Sequence, residues 1–348
     1  MTMVKNIVLG AVAFLVALIA VGVYMSYEPD IARAMLEAKY AVPPSQFMEM
    51  NPGIGVAAPA GMQVIYLPTR VHYRDRGPHD APALVLLHGS DSSLFDWEPW
   101  SKILSDHYRV ISVDLPGHGL TGAVASGDYS EAGMAKFVEA FVDKLGIKQF
   151  ALAGNSMGGG VAARFAETHP DRVTHLIIVD GYSPGMSVAG RLPLAYRLAR
   201  IPLLNQVLLN LTPRFVVEEG LNKAVARKAI LTDDMIDRFW DFLRMEGTRP
   251  ATLQRFNLRA DRYVRDHSRA ITAPTLILWG ADDHMLPVAD ARVWAKAISC
   301  SKVIVYPATG HLPMEEVADR SAADVRAFFD KPLLGTHCHY EVRVNNSL

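Results

Sequence analysis

The stretch Gly154-Asn155-Ser156-Met157-Gly158-Gly159-Gly160 decides how this chain is read. The apolar run Phe150-Ala151-Leu152-Ala153 precedes it, and Val161-Ala162-Ala163-Arg164-Phe165-Ala166 follows with helical character. That order is strand, tight turn, helix, with a serine at the turn. The glycines at 154 and 158 fit G-x-S-x-G, a nucleophile elbow. Such an elbow is strained, so the residues two before and two after the serine must be small for strand and helix to approach. The turn lifts the Ser156 hydroxyl clear of the sheet. The helix N-terminus lies beneath it, and its amides favour negative charge developing on a substrate.

Working outward, the neighbouring segments alternate between strand and helix patterns. Ala83-Leu84-Val85-Leu86-Leu87 is a continuous apolar run, the pattern of a strand buried on both faces. Arg109 to Val113, Val173 to Val179 and Pro274 to Gly280 read the same way, and Lys302 to Tyr306 reads as the last strand. Ser45 to Met50 and Arg70 to Arg74 are two further strands at the start of the globule. Glu98 to Ser105, Ser130 to Leu145 and Val288 to Ile298 read as helices. The alternation predicts an α/β fold with a mostly parallel sheet flanked by helices. From Tyr182 to about Ser268 no buried strand is expected. This helical, arginine-rich, proline-punctuated segment reads as an insertion that caps the strand ends. Asn51 to Pro68, rich in Gly, Pro and Ala, includes a short candidate strand, Met62 to Leu67, and has no assigned role.

The N-terminus is different. Ile7 to Met25 (IVLGAVAFLVALIAVGVYM) is uncharged and apolar. As a helix it would span roughly 28 Å, close to the ~30 Å hydrocarbon core of a bilayer. It has no clear small-x-small cleavage site, so it reads as an uncleaved anchor rather than a signal peptide. Lys5 lies before it and Glu28 and Asp30 after it, which puts the catalytic part on the non-cytoplasmic, periplasmic side. Ile31 to Tyr40 reads as a short amphipathic helix stopped by Val42-Pro43-Pro44. The expected organisation is an anchor over 1–26, a linker helix over 27–44 and a core over 45–182. A cap over 183–268, the rest of the core over 269–332 and a C-terminal tail over 333–348 complete it.

The chain has 348 residues, 50% hydrophobic and 20% charged, enough for a sizeable core. Its formal net charge of −1 gives no footprint for nucleic acid. The two cysteines, Cys300 and Cys338, do not make a disulfide framework and show no metal spacing. His337-Cys338-His339 lies in a polar tail read as a disordered terminus.

In an open parallel sheet, ligands bind beyond the carboxyl ends of the strands. The residues just after each expected strand are His88-Gly89-Ser90, Asp114, Ser156, Asp180, Asp283 and His311. A serine nucleophile needs a histidine base and an acid that orients it. His311, in Thr309-Gly310-His311-Leu312-Pro313, combines a post-strand position with a glycine that lets the loop turn back over the sheet. Of the adjacent Asp282 and Asp283, spacing from Gly280 and to Pro287 favours Asp283. Asp180 is a third candidate acid, read mainly as bonding within its own Asp180-Gly181 turn. The oxyanion of a tetrahedral intermediate needs two preorganised donors. The backbone N–H of Met157 is one, and the N–H of Ser90 is the other. His88 reads as bracing that loop, and Asp114 as tying down its own Pro-Gly turn.

With these motifs in hand, the chain resembles the α/β-hydrolase fold superfamily, serine-nucleophile branch, over roughly Ser45 to Asp330. The resemblance rests on LLHGS at 86–90, DLPGHG at 114–119, GNSMGG at 154–159, WGADDHMLP at 279–287 and GHLPMEE at 310–316. It implies an α/β-hydrolase sheet with Ser156 as nucleophile, Asp283 as acid, His311 as base, and Ser90 with Met157 as oxyanion-hole amides. The chain is similar to bacterial membrane-anchored or exported esterase- and lipase-like members.

Fold does not settle the reaction. Haloalkane dehalogenases and epoxide hydrolases of this pattern carry aspartate where Ser156 stands. The expected activity is hydrolysis of a small-molecule carboxylic ester, apolar or lipid-like, through an acyl-enzyme, with no metal or cofactor required. Meta-cleavage-product C–C hydrolases share a GNSMGG-like elbow and are the alternative, although their glycine- and proline-rich loop is replaced here by Asp91-Ser92-Ser93. A non-catalytic ligand receptor on the same fold is the alternative from another class, and it would predict a broken triad.

Overall fold

A computed structural model describes residues 2–51, 68–182, 201, 211–258, 270–330 and 341–344. The candidate strand at Met62 to Leu67 and parts of the expected cap lie outside the described residues.

Nine strands form one sheet in the order β1-β2-β4-β3-β5-β6-β7-β8-β9. They are β1 (Ser45–Met50), β2 (Thr69–Arg76), β3 (Ala83–Leu87), β4 (Arg109–Val113), β5 (Phe150–Asn155), β6 (Val173–Val179), β7 (Thr275–Gly280), β8 (Ser301–Tyr306) and β9 (Glu341–Val344). The β1–β2 and β2–β4 pairs are antiparallel, and every other pair is parallel. Successive side chains of a strand face opposite ways, and here both faces are covered. Val85 and Leu87 join Leu152, Ile178, Phe137 and Phe165 in one core. Leu84 and Leu86 join Trp100, Ala153, Leu278 and Val325 in the other. Two-sided burial is the physical reason these strands read as unbroken apolar runs.

Helices α3 (Glu98–Leu104), α4 (Glu131–Lys144) and α5 (Met157–Thr168) follow strands in the expected manner. Ser130 caps α4 by accepting from the Gly133 N–H at 3.0 Å, as its hydroxyl type suits. Between β6 and β7 the described residues contain α6 (Arg214–Ala224), α7 (Asp233–Leu243) and α8 (Thr248–Asn257), and no strand. After β7 come α9 (Ala289–Ala297), α10 (Pro313–Glu316) and α11 (Ala318–Asp330).

Three features bear on the sequence reading. First, α1 spans Thr2–Met25. Among the described residues no helix is long and apolar enough to cross a membrane. Second, the helix expected over Ile31 to Tyr40 is present as α2 (Arg33–Tyr40), and it packs into the fold. Leu36 is buried in a small core with Leu94, Phe95, Leu120, Phe242 and Met245, drawn from three separate parts of the chain. Around it, Ile31 exchanges backbone hydrogen bonds with Arg244 and Glu246 at 2.8 and 3.0 Å. Lys39 Nζ and Tyr40 Oη both donate to Asp241 at 2.8 Å. The segment is a strap across α7, α8 and the core. Third, the tail read as featureless supplies β9, parallel to β8, so Lys302 to Tyr306 is not the last strand. Cys300, just before β8, is disulfide-bonded.

Candidate active site

The sheet order switches direction around β3, with β4 on one side and β5 on the other. Beyond the carboxyl ends at this point is where an open α/β sheet binds ligands. The loop after β3 and the turn after β5 meet there.

Ser156 follows β5 with φ 53° and ψ −117°, a conformation that L-residues rarely adopt. The elbow argument holds in atomic detail. A Cβ on Gly154 would meet the Gly158 carbonyl oxygen at 2.1 Å, and one on Gly158 would meet the Leu87 oxygen at 2.3 Å. The strained turn is held by Ser156 N–H donating to Val179 O at 3.0 Å and by Tyr182 N–H donating to Ser156 O at 3.1 Å.

His311 and Asp283 come together as expected: Nδ1 of His311 lies 2.7 Å from Asp283 Oδ2, with both residues buried. Asp283 Oδ1 accepts from the Met285 and Leu286 N–H groups at 2.7 and 2.9 Å, which fixes the carboxylate on its turn. Burial works against its charge, but His311 beside it holds the Asp283 carboxyl below the usual range. Asp282, the adjacent alternative, is exposed.

Asn155 is a residue the sequence reading missed. Its Nδ2 donates to Val179 O and to His311 O, both at 3.1 Å, and so ties the nucleophile strand to the histidine loop. The neighbour of a serine in an elbow carries no local signal of this bond, because its partner lies 156 positions away. Glu316 was also missed. It accepts from Gly310 N–H at 2.8 Å and from Ala226 and Arg227 N–H at 2.9 and 2.8 Å, joining the histidine loop to the segment after α6. His311 N–H donates to Ala224 O at 2.7 Å, an approach a Cβ at Gly310 would block.

Asp180 lies closer to the chemistry than a simple turn residue. One oxygen of Asp180, one of Asp283 and a ring nitrogen of His311 all fall within 4.8 Å of one another. These are the donors a cation would use, yet each is committed. His311 Nδ1 faces Asp283, Asp283 Oδ1 takes two amides, and Asp180 Oδ1 accepts from Gly280 N–H at 2.9 Å. Among the described residues Asp180 Oδ2 meets no donor. Burial, and then the charge of Asp283, push the Asp180 carboxyl well above the usual range. The two neighbouring carboxyls are thus shifted in opposite directions, Asp180 towards holding its proton and Asp283 towards holding its charge.

On the other side of Ser156, Ser90 Oγ lies 3.5 Å from Met157 Sδ and from Tyr182 Oη. Ser90 and Met157 thus flank the nucleophile together. His88 braces their loop: its Nδ1 donates to Gly89 O at 2.7 Å, and its Nε2 accepts from Leu115 N–H at 2.9 Å. Burial lowers its pKa, which suits a neutral structural ring. Asp114 takes the Leu94 and Leu120 amides at 2.8 and 2.7 Å, tying down more than its own turn. It also accepts from His72, whose Nε2 bonds Ser45 at 2.9 Å. This second Ser–His–Asp chain is a brace, since Ser45 Oγ also accepts from Arg74 Nε at 3.1 Å. A cavity of about 440 Å³, lined by residues that include Phe95, Met235, Arg238 and Glu315, has none of Ser156, Asp283 and His311 in its wall.

Comparison with known proteins agrees with this architecture. The family model of the alpha/beta hydrolase fold matches residues 82–317, and the chain belongs to that family. It is 30% identical over 265 residues to a 2-hydroxy-6-oxononadienedioate/2-hydroxy-6-oxononatrienedioate hydrolase of Klebsiella pneumoniae, covering 72% of this chain and 87% of that protein. It is also 30% identical over 259 residues to the dihydrolipoyllysine-residue acetyltransferase component of an acetoin cleaving system from Pseudomonas putida. That match covers 73% of this chain and 65% of the longer protein, so under two thirds of the latter's length. Among solved structures, a thermophilic esterase from Thermogutta terrifontis superposes with a TM-score of 0.66 at 24% identity, over 82% of this chain and 98% of that one.

Proposed function

We propose that this chain is a serine hydrolase that cleaves carboxylic esters. Ser156 attacks the ester carbonyl while His311 takes its proton, and Asp283 keeps the imidazole oriented. The amides of Ser90 and Met157 receive the oxyanion. His311 then protonates the departing alkoxide and later activates the water that clears the acyl-enzyme. The observation that carries this reading is the strained Ser156 turn, tied through Asn155 to the loop of His311, whose Nδ1 pairs with Asp283.

A second reading, C–C bond hydrolysis, is supported by the similarity to the Klebsiella hydrolase, whose name gives 2-hydroxy-6-oxo-dienedioate-type compounds and not esters as its substrates. The two are separated by steady-state turnover of p-nitrophenyl esters from acetate to palmitate beside a 2-hydroxy-6-oxo-dienoate. Ester turnover that exceeds dienoate turnover, with a clear chain-length optimum, is the expected result. Turnover of the dienoate alone overturns the ester assignment in favour of C–C hydrolysis. Turnover of neither, in folded protein, leaves a ligand receptor.

The reading extends to location. The large apolar side chains of α1, among them Ile7, Leu9, Phe14, Leu15 and Leu18, are exposed. A helix with this surface suits a membrane anchor. The disulfide at Cys300 suits an oxidising, non-cytoplasmic compartment. The helices between β6 and β7 then form the cap that selects an apolar acyl group. Fractionation of the full chain tests the anchor: protein released from membranes by high salt alone contradicts it.

A further inference from the structure

The loop after β3 carries a strained residue that the chemistry above does not use. Asp91, next to Ser90, has φ 56°, a left-handed conformation that glycine adopts freely and that other residues enter only with support. The loop lies directly against the nucleophile: a Cβ on Gly89 would stand 3.2 Å from Ser156 Cβ. A shift of a few tenths of an ångström here moves the Ser90 amide relative to the reacting carbonyl.

The support for Asp91 comes from α8. Arg255 Nη2 donates to Asp91 Oδ1 at 2.6 Å, with Thr252 Oγ1 of the same helix 3.4 Å from that oxygen. The other fork of the guanidinium is fixed as well. His118 Nδ1 donates to Pro116 O at 2.9 Å, which leaves Nε2 bare to accept from Arg255 Nη1 at 2.8 Å. Burial and the Arg255 charge keep that imidazole neutral. Side-chain exposure is 7% for Arg255 and 17% for Asp91, so this charge-assisted pair is largely shielded from water and salt. A side-chain oxygen at position 91 brings the loop to Arg255; the glycine that the backbone would prefer cannot.

We propose that Arg255 is a positioning residue which, by clasping Asp91, holds the Ser90 amide in register with Ser156 only while α8 is seated on the core. The oxyanion donor is thereby made conditional on the segment between β6 and β7. An ester that seats this segment well completes its own oxyanion hole. This inference rests on the serine-hydrolase reading and on Ser90 as a donor.

The test compares wild type, Asp91→Gly, Arg255→Gln and the double variant. The readouts are kcat and KM for a p-nitrophenyl ester, thermal midpoint, and inhibition by a trifluoromethyl ketone whose tetrahedral adduct needs the oxyanion donors. Each single variant is expected to lose on the order of tenfold to a hundredfold in kcat, with KM within about twofold and ketone affinity falling in parallel. The double variant is expected to be no worse than the worse single, because both remove one linkage. A purely structural pair predicts a lower midpoint with kcat unchanged. Asp91→Gly at wild-type kcat, or losses that add in the double variant, would overturn the clasp. If Arg255→Gln fails to fold, Arg255→Lys, which retains one prong, is expected to fall between wild type and Asp91→Gly in kcat. Fluorophosphonate labelling of Ser156 in wild type separates the two levels. No labelling sinks the serine-hydrolase reading and the clasp together, whereas labelling with unaffected variants sinks the clasp alone.

Discussion

Asp180 and Asp283 lie side by side behind His311, and Asp283 is the one paired with the imidazole: Asp283 Oδ2 is 2.7 Å from His311 Nδ1, while among the described residues Asp180 Oδ2 meets no donor. Two adjacent buried carboxyls cannot both ionise cheaply, and the pair divides the roles. Asp283 holds its charge below the usual range and Asp180 holds its proton above it. Asp180→Asn keeps an oxygen to accept from the Gly280 N–H. It is expected to change kcat by less than about threefold at neutral pH, whereas Asp283→Asn is expected to lose on the order of 10³ to 10⁴. The opposite order in steady-state kinetics would make Asp180 the working acid.

Glu315 sets a pH dependence of stability. Burial, and then the charge of Asp96, raise its carboxyl from the ordinary 4.5 to about 8, although Arg238 Nη2 lies 4.0 Å away. Between those two pH values the folded protein binds a proton that the unfolded chain releases. Stability attributable to this group therefore falls as pH rises through the window and levels off above about 8. Glu315→Gln removes the penalty. Its thermal midpoint is expected to match wild type near pH 4 and to exceed it by several degrees, on the order of 2–4 °C per kcal/mol, at pH 9. A constant offset at all pH values would assign the proton elsewhere.

The strap before β1 is part of the catalytic body. Protein lacking residues 1–26 retains the Arg249–Glu28 O bond at 2.7 Å and the Ile31 and Leu36 contacts, so its midpoint is expected to stay within about 2 °C of the full chain. Removing residues 1–41 opens the core that Leu36 shares with Phe95, Phe242 and Met245, at a cost of about 3–5 kcal/mol. Leu36→Ala alone is expected to cost about 2–4 kcal/mol in denaturant titration. Equal midpoints for the two truncations would reduce the strap to a tether.

The parts of this molecule that were legible in its sequence are those whose signal is local. Strands β3 to β8 announce themselves because both sheet faces are buried, so nearly every position must be apolar. Ser156, His311 and Asp283 each sit in a turn with its own glycine or proline spacing, which is why they stand out one at a time. Asn155, Glu316 and Arg255 act through partners that only the fold supplies; the Arg255–Asp91 pair spans 164 positions. Asp91 breaks a local rule, a non-glycine at positive φ, and its reason appears only with Arg255 in place. Likewise α2 looks like any short amphipathic helix until Phe242 and Met245 are brought beneath it. Strand β9 is four residues long and defined by pairing with β8, so no pattern of its own marks it.

The most direct test of the account is hydrolysis of p-nitrophenyl butyrate by protein lacking residues 1–26, beside Ser156→Ala in the same background. The account predicts turnover in the first protein and a loss of at least about 10⁴-fold in kcat in the second, with both folded to the same thermal midpoint. Turnover that survives Ser156→Ala would contradict it.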